Sequence, residues 1–222
     1  SFLLEEQKKD FKEILRVSGG KPIIIRLLDP PLHEFLPSYE ELLLEIKEME
    51  LTGRDEEELR ERRKLLSAVE RRREANPMLG LRGCRLGLVF PDIYRMQVRA
   101  IFQAACELVK EGYDVFPEVM MPMVSSAREM KVLREMTERI AREEEERYGV
   151  KVRYKVGTMI EVPSAALTAD EIAKEAEFFS FGTNDPTQAT FCYSRDDAEK
   201  TFLGHYVEMG ILKENPFQVL DR

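Results

Sequence analysis

The feature that most constrains the fold is a strand–helix–strand pattern between Tyr154 and Gln188. Val156 to Ile160 is an apolar, partly β-branched run that predicts a strand. Pro163 is suited to open a helix after it, because the N–H that proline lacks has no helical partner at that position. The apolar run from Phe178 to Phe181 predicts a second strand. One helix between two strands favours a right-handed crossover with the strands parallel.

An acidic residue follows each of these two strands, Glu161 after the first and Asp185 after the second. Parallel strands end at the same edge of a sheet, so we expect both carboxylates to face one crevice, where two such groups beside a phosphate suit Mg²⁺. Gly182 ends the second strand and allows a ligand close to the backbone. The loop after it begins with Thr183 and Asn184. The alternative for these residues is a common Asn-Asp turn and a solvated glutamate at a strand end.

Composition sets the broad class of protein. A chain of 222 residues with 43% hydrophobic residues favours one sizeable core. The net charge of −8 argues against a nucleic-acid partner, and no apolar run is long enough to predict a membrane span. Cys84, Cys106 and Cys192 lack metal-ligand spacing and are interpreted as free thiols of a reducing compartment. We therefore expect a cytoplasmic protein, with organellar targeting upstream left open because the chain does not begin with Met.

Two arginines occupy positions that need an explanation. Arg26 lies in the strand-like run from Pro22 to Leu28, where it could pair with Asp29 or direct its guanidinium group at a phosphate or carboxylate. Arg82 lies between two glycines, which suits either an ordinary glycine turn or close approach of a ligand.

The remaining pattern alternates strands with helices. A helix pair is predicted over residues 38 to 75, broken at Thr52-Gly53 and with Asp55 as a cap of its second helix. Strands are predicted near residues 23–28, 85–89, 117–122, 155–161 and 178–182. This is the α/β pattern of a (β/α)8 barrel, which takes roughly 250 residues, so we expect an incomplete barrel of about five strands.

Four segments resemble the phosphoenolpyruvate-utilising enzymes over residues 22 to 222. GTMIEVP and FFSFGTNDPTQ are similar to that family's signature. Two further segments resemble the pyruvate phosphate dikinase branch of the family: IRLLDPPLHEFLP at residues 25–37, and GLRGCR. At the position of IRLLDPPLHEFLP the sugar phosphotransferase enzyme instead carries a strand of the RTLDxGGDK type. The resemblance implies one partial phosphoenolpyruvate/pyruvate-binding barrel domain over residues 1–222, with a helical arm at 38–76.

The resemblance also implies roles for individual residues. Glu161 and Asp185 would bind Mg²⁺, Arg26 and Arg82 would hold the phosphoryl oxygens, and Asn184 would donate to a substrate oxygen. His33 would be structural, because the family's phosphorylated histidine lies on a separate domain. The substrate-binding residues implied in this way are Arg26, Arg82, Glu161, Gly182, Thr183, Asn184 and Asp185.

The implied activity interconverts pyruvate and phosphoenolpyruvate through that phosphohistidine, with ATP and phosphate. Its implied partners are the histidine domain and the ATP-binding domain of the same full-length chain, and a second copy in a homodimer. The family's acid/base cysteine lies in a CGEHGG-type motif that matches none of the three cysteines, so we expect the 222-residue chain alone to be inactive. The alternatives are a partial barrel that only binds a ligand or partner, and the related phosphoenolpyruvate synthase.

Three positions depart from the family's usual pattern: Pro186, Ser164 and Cys192. The first has a structural consequence that can be predicted, because a residue before proline favours an extended backbone. We therefore expect Asp185 to be extended.

Overall fold

A sheet of four parallel strands forms the centre of the computed structural model, in the order β1-β2-β3-β4. The strands are β1 (Pro22–Arg26), β2 (Phe116–Met121), β3 (Lys155–Ile160) and β4 (Phe179–Phe181). Thr158 of β3 is in register with Phe179 of β4, so the predicted crossover with parallel strands is confirmed. Alternating with helices, these strands form an incomplete α/β barrel, as the sequence predicted.

The structure describes residues 2–31, 34, 37–53, 56–72 and 77–219. His33 and the predicted cap Asp55 lie outside these ranges. The chain divides into two units, one made of residues 1–29 and 83–222 and the other of residues 30–82. Each unit is described by itself.

The helices of the larger unit pack around the sheet or follow β4. Before β2 they are α1 (Phe2–Val17), α4 (Gly83–Val89) and α5 (Pro91–Lys110), and after it α6 (Ala127–Tyr148), α7 (Pro163–Leu167) and α8 (Ala169–Ile172). The chain after β4 forms α9 (Asn184–Phe191), α10 (Arg195–Thr201) and α11 (Leu203–Glu208). The core joins α5 and α6 to the inner strands, and its fully buried members include Phe102, Met130, Val119 and Val156.

The strand predicted at residues 85–89 is wrong, because these residues belong to helix α4. The run of glycine, leucine and valine suits a buried strand, but the buried residues of this segment are spaced as on one face of a helix. Cys84 and Gly87 are buried whereas Val89 is exposed. A Cβ at Gly87 would lie only 2.3 Å from the Tyr94 ring of α5. Tertiary packing against α5 therefore decided a segment whose local pattern was ambiguous.

Helix termini follow the sequence signals closely. Ser126 and Glu129 form a capping box at the start of α6, in which the serine hydroxyl accepts from the Glu129 amide and the glutamate accepts from the Ser126 amide. Pro91 and Pro163 open α5 and α7. Among the described helices, none combines the length and the apolar character that crossing a membrane requires.

The smaller unit contains the predicted helix pair, α2 (Tyr39–Thr52) and α3 (Glu56–Arg72), followed by a 3₁₀ turn at Pro77–Leu79. Gly53 ends α2 in the left-handed conformation with φ 65°, as the predicted break at this position requires. Arg63 of α3 pairs with Glu50 of α2 at 2.7 Å. Arg62 pairs with Glu45 at 3.3 Å, so charged residues connect the two helices along their exposed sides.

Candidate functional site

Predicted site residues lie at one edge of the sheet because its strands are parallel. Glu161 directly follows β3, and Gly182 directly follows β4. Arg26 is the last residue of β1, and Asp29 lies three residues beyond it. Met123 follows β2. In a parallel α/β sheet this carboxyl edge is the usual position of a ligand site.

Glu161 is the buried centre of this edge, with only 5% of its surface exposed. Its Oε1 accepts a hydrogen bond from the Met123 backbone N–H at 2.8 Å. Burial raises the pKa of the Glu161 carboxyl above its ordinary value, and the nearby charges of Asp29 and Asp185 raise it further, while the Met123 bond and Arg26 act in the opposite direction. A cation would relieve the repulsion among these carboxylates.

Gly182 lies directly against the Glu161 side chain. A Cβ at position 182 would lie 3.0 Å from the Glu161 Cβ and 3.1 Å from its Oε2. The Gly182 amide donates to the Ile160 carbonyl at 3.1 Å, which fixes the backbone at this distance. Gly182 therefore leaves room for the Glu161 side chain, and the close approach of a ligand to this backbone stays a prediction.

Met123, in the loop after β2, contributes to this site through its backbone amide, a role that the sequence did not indicate. Met123 is buried and has a positive φ of 61°, unusual for a residue with a side chain. The Cys84 thiol donates to its carbonyl at 3.2 Å, and the Cys84 amide donates to the Pro122 carbonyl at 3.0 Å. The Gly83 amide donates to the Asp29 carbonyl at 3.0 Å. The start of α4 thus connects the loops after β1 and β2, a function of backbone groups that no side-chain pattern reveals.

The three cysteines among the described residues are free, as expected. Burial raises the pKa of the Cys84 thiol to about 12, and it raises that of Cys106 to about 12. Both are therefore neutral thiols at physiological pH and are unsuited to acid/base or nucleophilic chemistry.

Arg26 takes the pairing that was one of its two predicted alternatives. Its Nη1 lies 3.6 Å from Oδ2 of the buried Asp29. The Arg26 side chain is nevertheless 47% exposed, so the guanidinium retains a surface that a phosphate or carboxylate could approach. Asp29 therefore orients Arg26 without enclosing it.

Asn184 and Asp185 are the first two residues of α9. The expectation that Asp185 is extended is wrong. Pro186 falls in the first turn of the helix, where its missing N–H has no intrahelical partner, so the local preference before proline gives way to the helix. Thr183 precedes the helix as an exposed residue.

Arg82 belongs to the smaller unit, where its amide donates to the Gly80 carbonyl at 3.1 Å. Its side chain is partly buried. The phosphoryl-binding role implied for Arg82 remains a prediction.

The donors at this edge fit a magnesium ion. Among the described residues, no three His, Cys, Asp or Glu side chains converge as a closed metal cage. Mg²⁺ does not require one, since it commonly binds through one or two carboxylates and completes its octahedron with water and substrate oxygens. The buried Glu161 at the carboxyl edge of the sheet is one such carboxylate, and the part of Asp185 as the second stays a prediction.

Comparison with known proteins shows the class of protein. The family model described as the PEP-utilising enzyme, PEP-binding domain matches residues 2–216. The chain therefore belongs to this family, with PEP denoting phosphoenolpyruvate.

Curated relatives of the chain carry the name pyruvate, phosphate dikinase. The chain is 51% identical over 221 residues to the one from Entamoeba histolytica, covering 99% of this chain and 25% of that protein. It is 51% identical over 222 residues to the chloroplastic dikinase 1 of Arabidopsis thaliana, covering 99% of this chain and 22% of the relative. The chain is 48% identical over 222 residues to pyruvate, phosphate dikinase 2 of Zea mays, covering 99% of this chain and 24% of that protein. The chain spans about a quarter of the length of these relatives.

Proposed function

We propose that this chain supplies the phosphoenolpyruvate/pyruvate site of an enzyme that transfers a phosphoryl group between phosphoenolpyruvate and a phosphohistidine on another domain, with ATP and phosphate. The observation that carries this proposal is the buried Glu161 carboxylate, held by the Met123 amide and contacted by Gly182, at the carboxyl edge of a sheet in a member of the PEP-binding family. The dikinase name of relatives at about 50% identity favours the dikinase over the synthase.

Charge placement explains how these residues would act. Phosphoryl transfer depends mainly on positioning and on neutralising the charge of the transferred group. Glu161 and Asp185 would hold Mg²⁺, which when bound supplies positive charge beside the phosphoryl and enolate oxygens. The guanidinium groups of Arg26 and Arg82 would bind phosphoryl oxygens, and their planar paired donors suit that geometry. The Asn184 amide would donate to a substrate oxygen.

The partners follow from the same proposal. The phosphohistidine domain and an ATP-binding domain would belong to the same full-length chain, which would act as a homodimer. The proposed location is the cytoplasm, with an organelle as the alternative, because the Arabidopsis relative is described as chloroplastic. The non-catalytic alternative predicts Mg²⁺-dependent binding of pyruvate without turnover.

The test uses the full-length protein that contains this chain. We expect radiolabel from phosphoenolpyruvate to reach a histidine in a Mg²⁺-dependent reaction, and the methyl protons of pyruvate to exchange with solvent. ATP formation that requires pyrophosphate together with AMP would identify the dikinase. Binding of pyruvate with neither transfer nor exchange would instead establish the non-catalytic alternative.

Arginine-to-lysine substitutions test the proposed phosphoryl contacts. Arg26→Lys and Arg82→Lys each retain a positive charge but replace a planar two-pronged donor by a point charge. We expect phosphoryl transfer to fall about 10²-fold or more in each variant, by analogy with the loss of one charge-stabilising donor, while the melting temperature stays near that of the wild type. The control is Arg139→Lys on an exposed face of α6. A variant at position 26 or 82 with most of its activity left would assign that arginine to structure alone.

A further inference from the structure

We propose that Arg195 is a positioning residue of this site, which orients the side-chain amide of Asn184 so that its NH₂ group can donate to the substrate. The proposal rests on the function proposed above, in which Asn184 contacts a substrate oxygen. Arg195 was not among the residues that the sequence singled out. It lies at the start of α10, beyond the loop that follows α9.

The contact itself fixes the orientation of the amide. Arg195 Nη1 donates a hydrogen bond to Asn184 Oδ1 at 2.9 Å. A guanidinium group has only donors, so the amide oxygen must face it. The reversed amide would set donor against donor. The NH₂ group of Asn184 therefore points away from Arg195, and under the proposed function it is this group that donates to the substrate.

A second connection leads from Arg195 to the neighbouring carboxylate. The backbone N–H of Arg195 donates to Gln188 Oε1 at 2.9 Å. Because a backbone N–H can only donate, the Gln188 oxygen faces it and the Gln188 NH₂ faces the other way. That Nε2 lies 3.5 Å from Asp185 Oδ1, at the long limit of a hydrogen bond. Arg195 thus contacts Asn184 directly through its side chain. Its main chain is connected to Asp185 only through the side chain of Gln188.

Arg195 is itself held in place from two sides. Its Nε lies 3.7 Å from Glu199 Oε2, one turn further along α10, and its guanidinium carbon lies 5.8 Å from the centre of the Phe217 ring. The side chain is 40% exposed, and ion pairs at such exposed positions contribute little to stability. Orientation of Asn184 is therefore the main effect expected of this side chain, and its replacement should leave the protein folded.

A small aromatic cluster connects α9 with the end of α10 and with α11, which gives α10 a defined position. Consecutive rings lie 5.5, 4.9 and 5.0 Å apart between centroids in the order Phe191, Tyr193, Phe202 and Tyr206. The first ring is in α9, whose start carries Asn184, and the third directly follows α10. Packing among these rings keeps the two helices at the distance that the Arg195 contact requires.

The first experiment measures phosphoryl transfer by the full-length protein. We expect Arg195→Met to lower kcat about 10- to 100-fold, the usual range for a residue that orients a contacting group. Mn²⁺ affinity, measured by electron paramagnetic resonance, should stay within about twofold, because neither carboxylate is changed and the main-chain hydrogen bond from Arg195 to Gln188 is kept. Arg195→Lys should recover part of kcat, since an ammonium also donates. The control Lys200→Met removes a positive charge from an exposed position on the same helix and should change neither quantity.

A double-mutant cycle tests whether Arg195 acts through Asn184. In an Asn184→Ala background, Arg195→Met should lower kcat no further. Full additivity of the two losses, or an unchanged kcat in Arg195→Met alone, would overturn the proposal.

A measurement that does not depend on turnover separates this proposal from the function on which it rests. In the full-length protein labelled with ¹⁵N-asparagine, the side-chain NH₂ signal of Asn184 can be assigned by its loss in Asn184→Ala. Arg195→Met should shift this signal and speed its exchange with water, whereas Lys200→Met should not. A wild type without phosphoryl transfer would overturn the proposed function, and an unmoved NH₂ signal would overturn the positioning role.

Discussion

Glu161→Gln should reduce Mg²⁺-dependent phosphoryl transfer by about 10³-fold, the largest effect expected of any single change in this chain. Glutamine has nearly the same shape and can still accept the Met123 hydrogen bond, so the loop after β2 should keep its conformation. What is lost is the negative charge at a site with 5% exposure, where water cannot replace it. A 10³-fold loss corresponds to about 4 kcal/mol of transition-state stabilisation.

The measurement combines turnover with metal affinity. Mn²⁺ binding should weaken strongly in Glu161→Gln, and the companion change Asp185→Asn should act in the same direction. Glu171→Gln, at an exposed position of α8, is the matched control for the loss of one carboxylate. Wild-type turnover and metal affinity in Glu161→Gln would exclude this residue as the metal ligand.

Gly182→Val should reduce activity about 10²-fold through the position of the same carboxylate. A Cβ here would lie 3.0 Å from the Glu161 Cβ and 3.1 Å from the Met159 Sδ, closer than ordinary contact distance on both sides. Valine adds two further methyl groups, so the Glu161 side chain must move or the strand end must shift. A displacement of about 1 Å in an active site can cost about 10²-fold in rate.

The control for this change is Gly204→Val in α11, where an added Cβ meets no atom within 4 Å. Gly182→Ala should give an intermediate loss, because its single Cβ requires shifts of only a few tenths of an ångström. Circular dichroism and thermal melting would show whether the fold is retained. Equal activities of Gly182→Val and the wild type would mean that this backbone approach does not matter to the site.

Glu161 and Gly182 differ in how much of their role the sequence alone indicates. Glu161 could be selected from the sequence, because an apolar run followed by a carboxylate and a proline defines where a strand ends and a helix begins. The contact between Gly182 and the Glu161 side chain could not be predicted in this way, because it joins two separate segments of the chain. The structure shows that this glycine leaves room for the side chain of Glu161, and close approach of a ligand at Gly182 stays a prediction.

Local signals determined most of the secondary structure. The capping box at Ser126, the glycine end of α2 and the prolines that open α5 and α7 each use interactions within a few residues of one another. Such interactions can be recognised from the sequence alone. Parallel pairing of β3 with β4 followed from the short crossover, since one helix between two strands leaves few other arrangements.

Tertiary structure decided the features that depend on distant residues. Residues 85–89 are helical, with Gly87 close against the Tyr94 ring of α5, although the same apolar run suits a strand. The Met123 amide became the partner of Glu161 through a backbone group, and Arg195 reached Asn184 across the loop between α9 and α10. The sequence by itself thus determined the strand ends and the carboxylates that follow them, because these depend on neighbours along the chain. How those carboxylates are held was decided only by the fold, which brings together groups from separate segments.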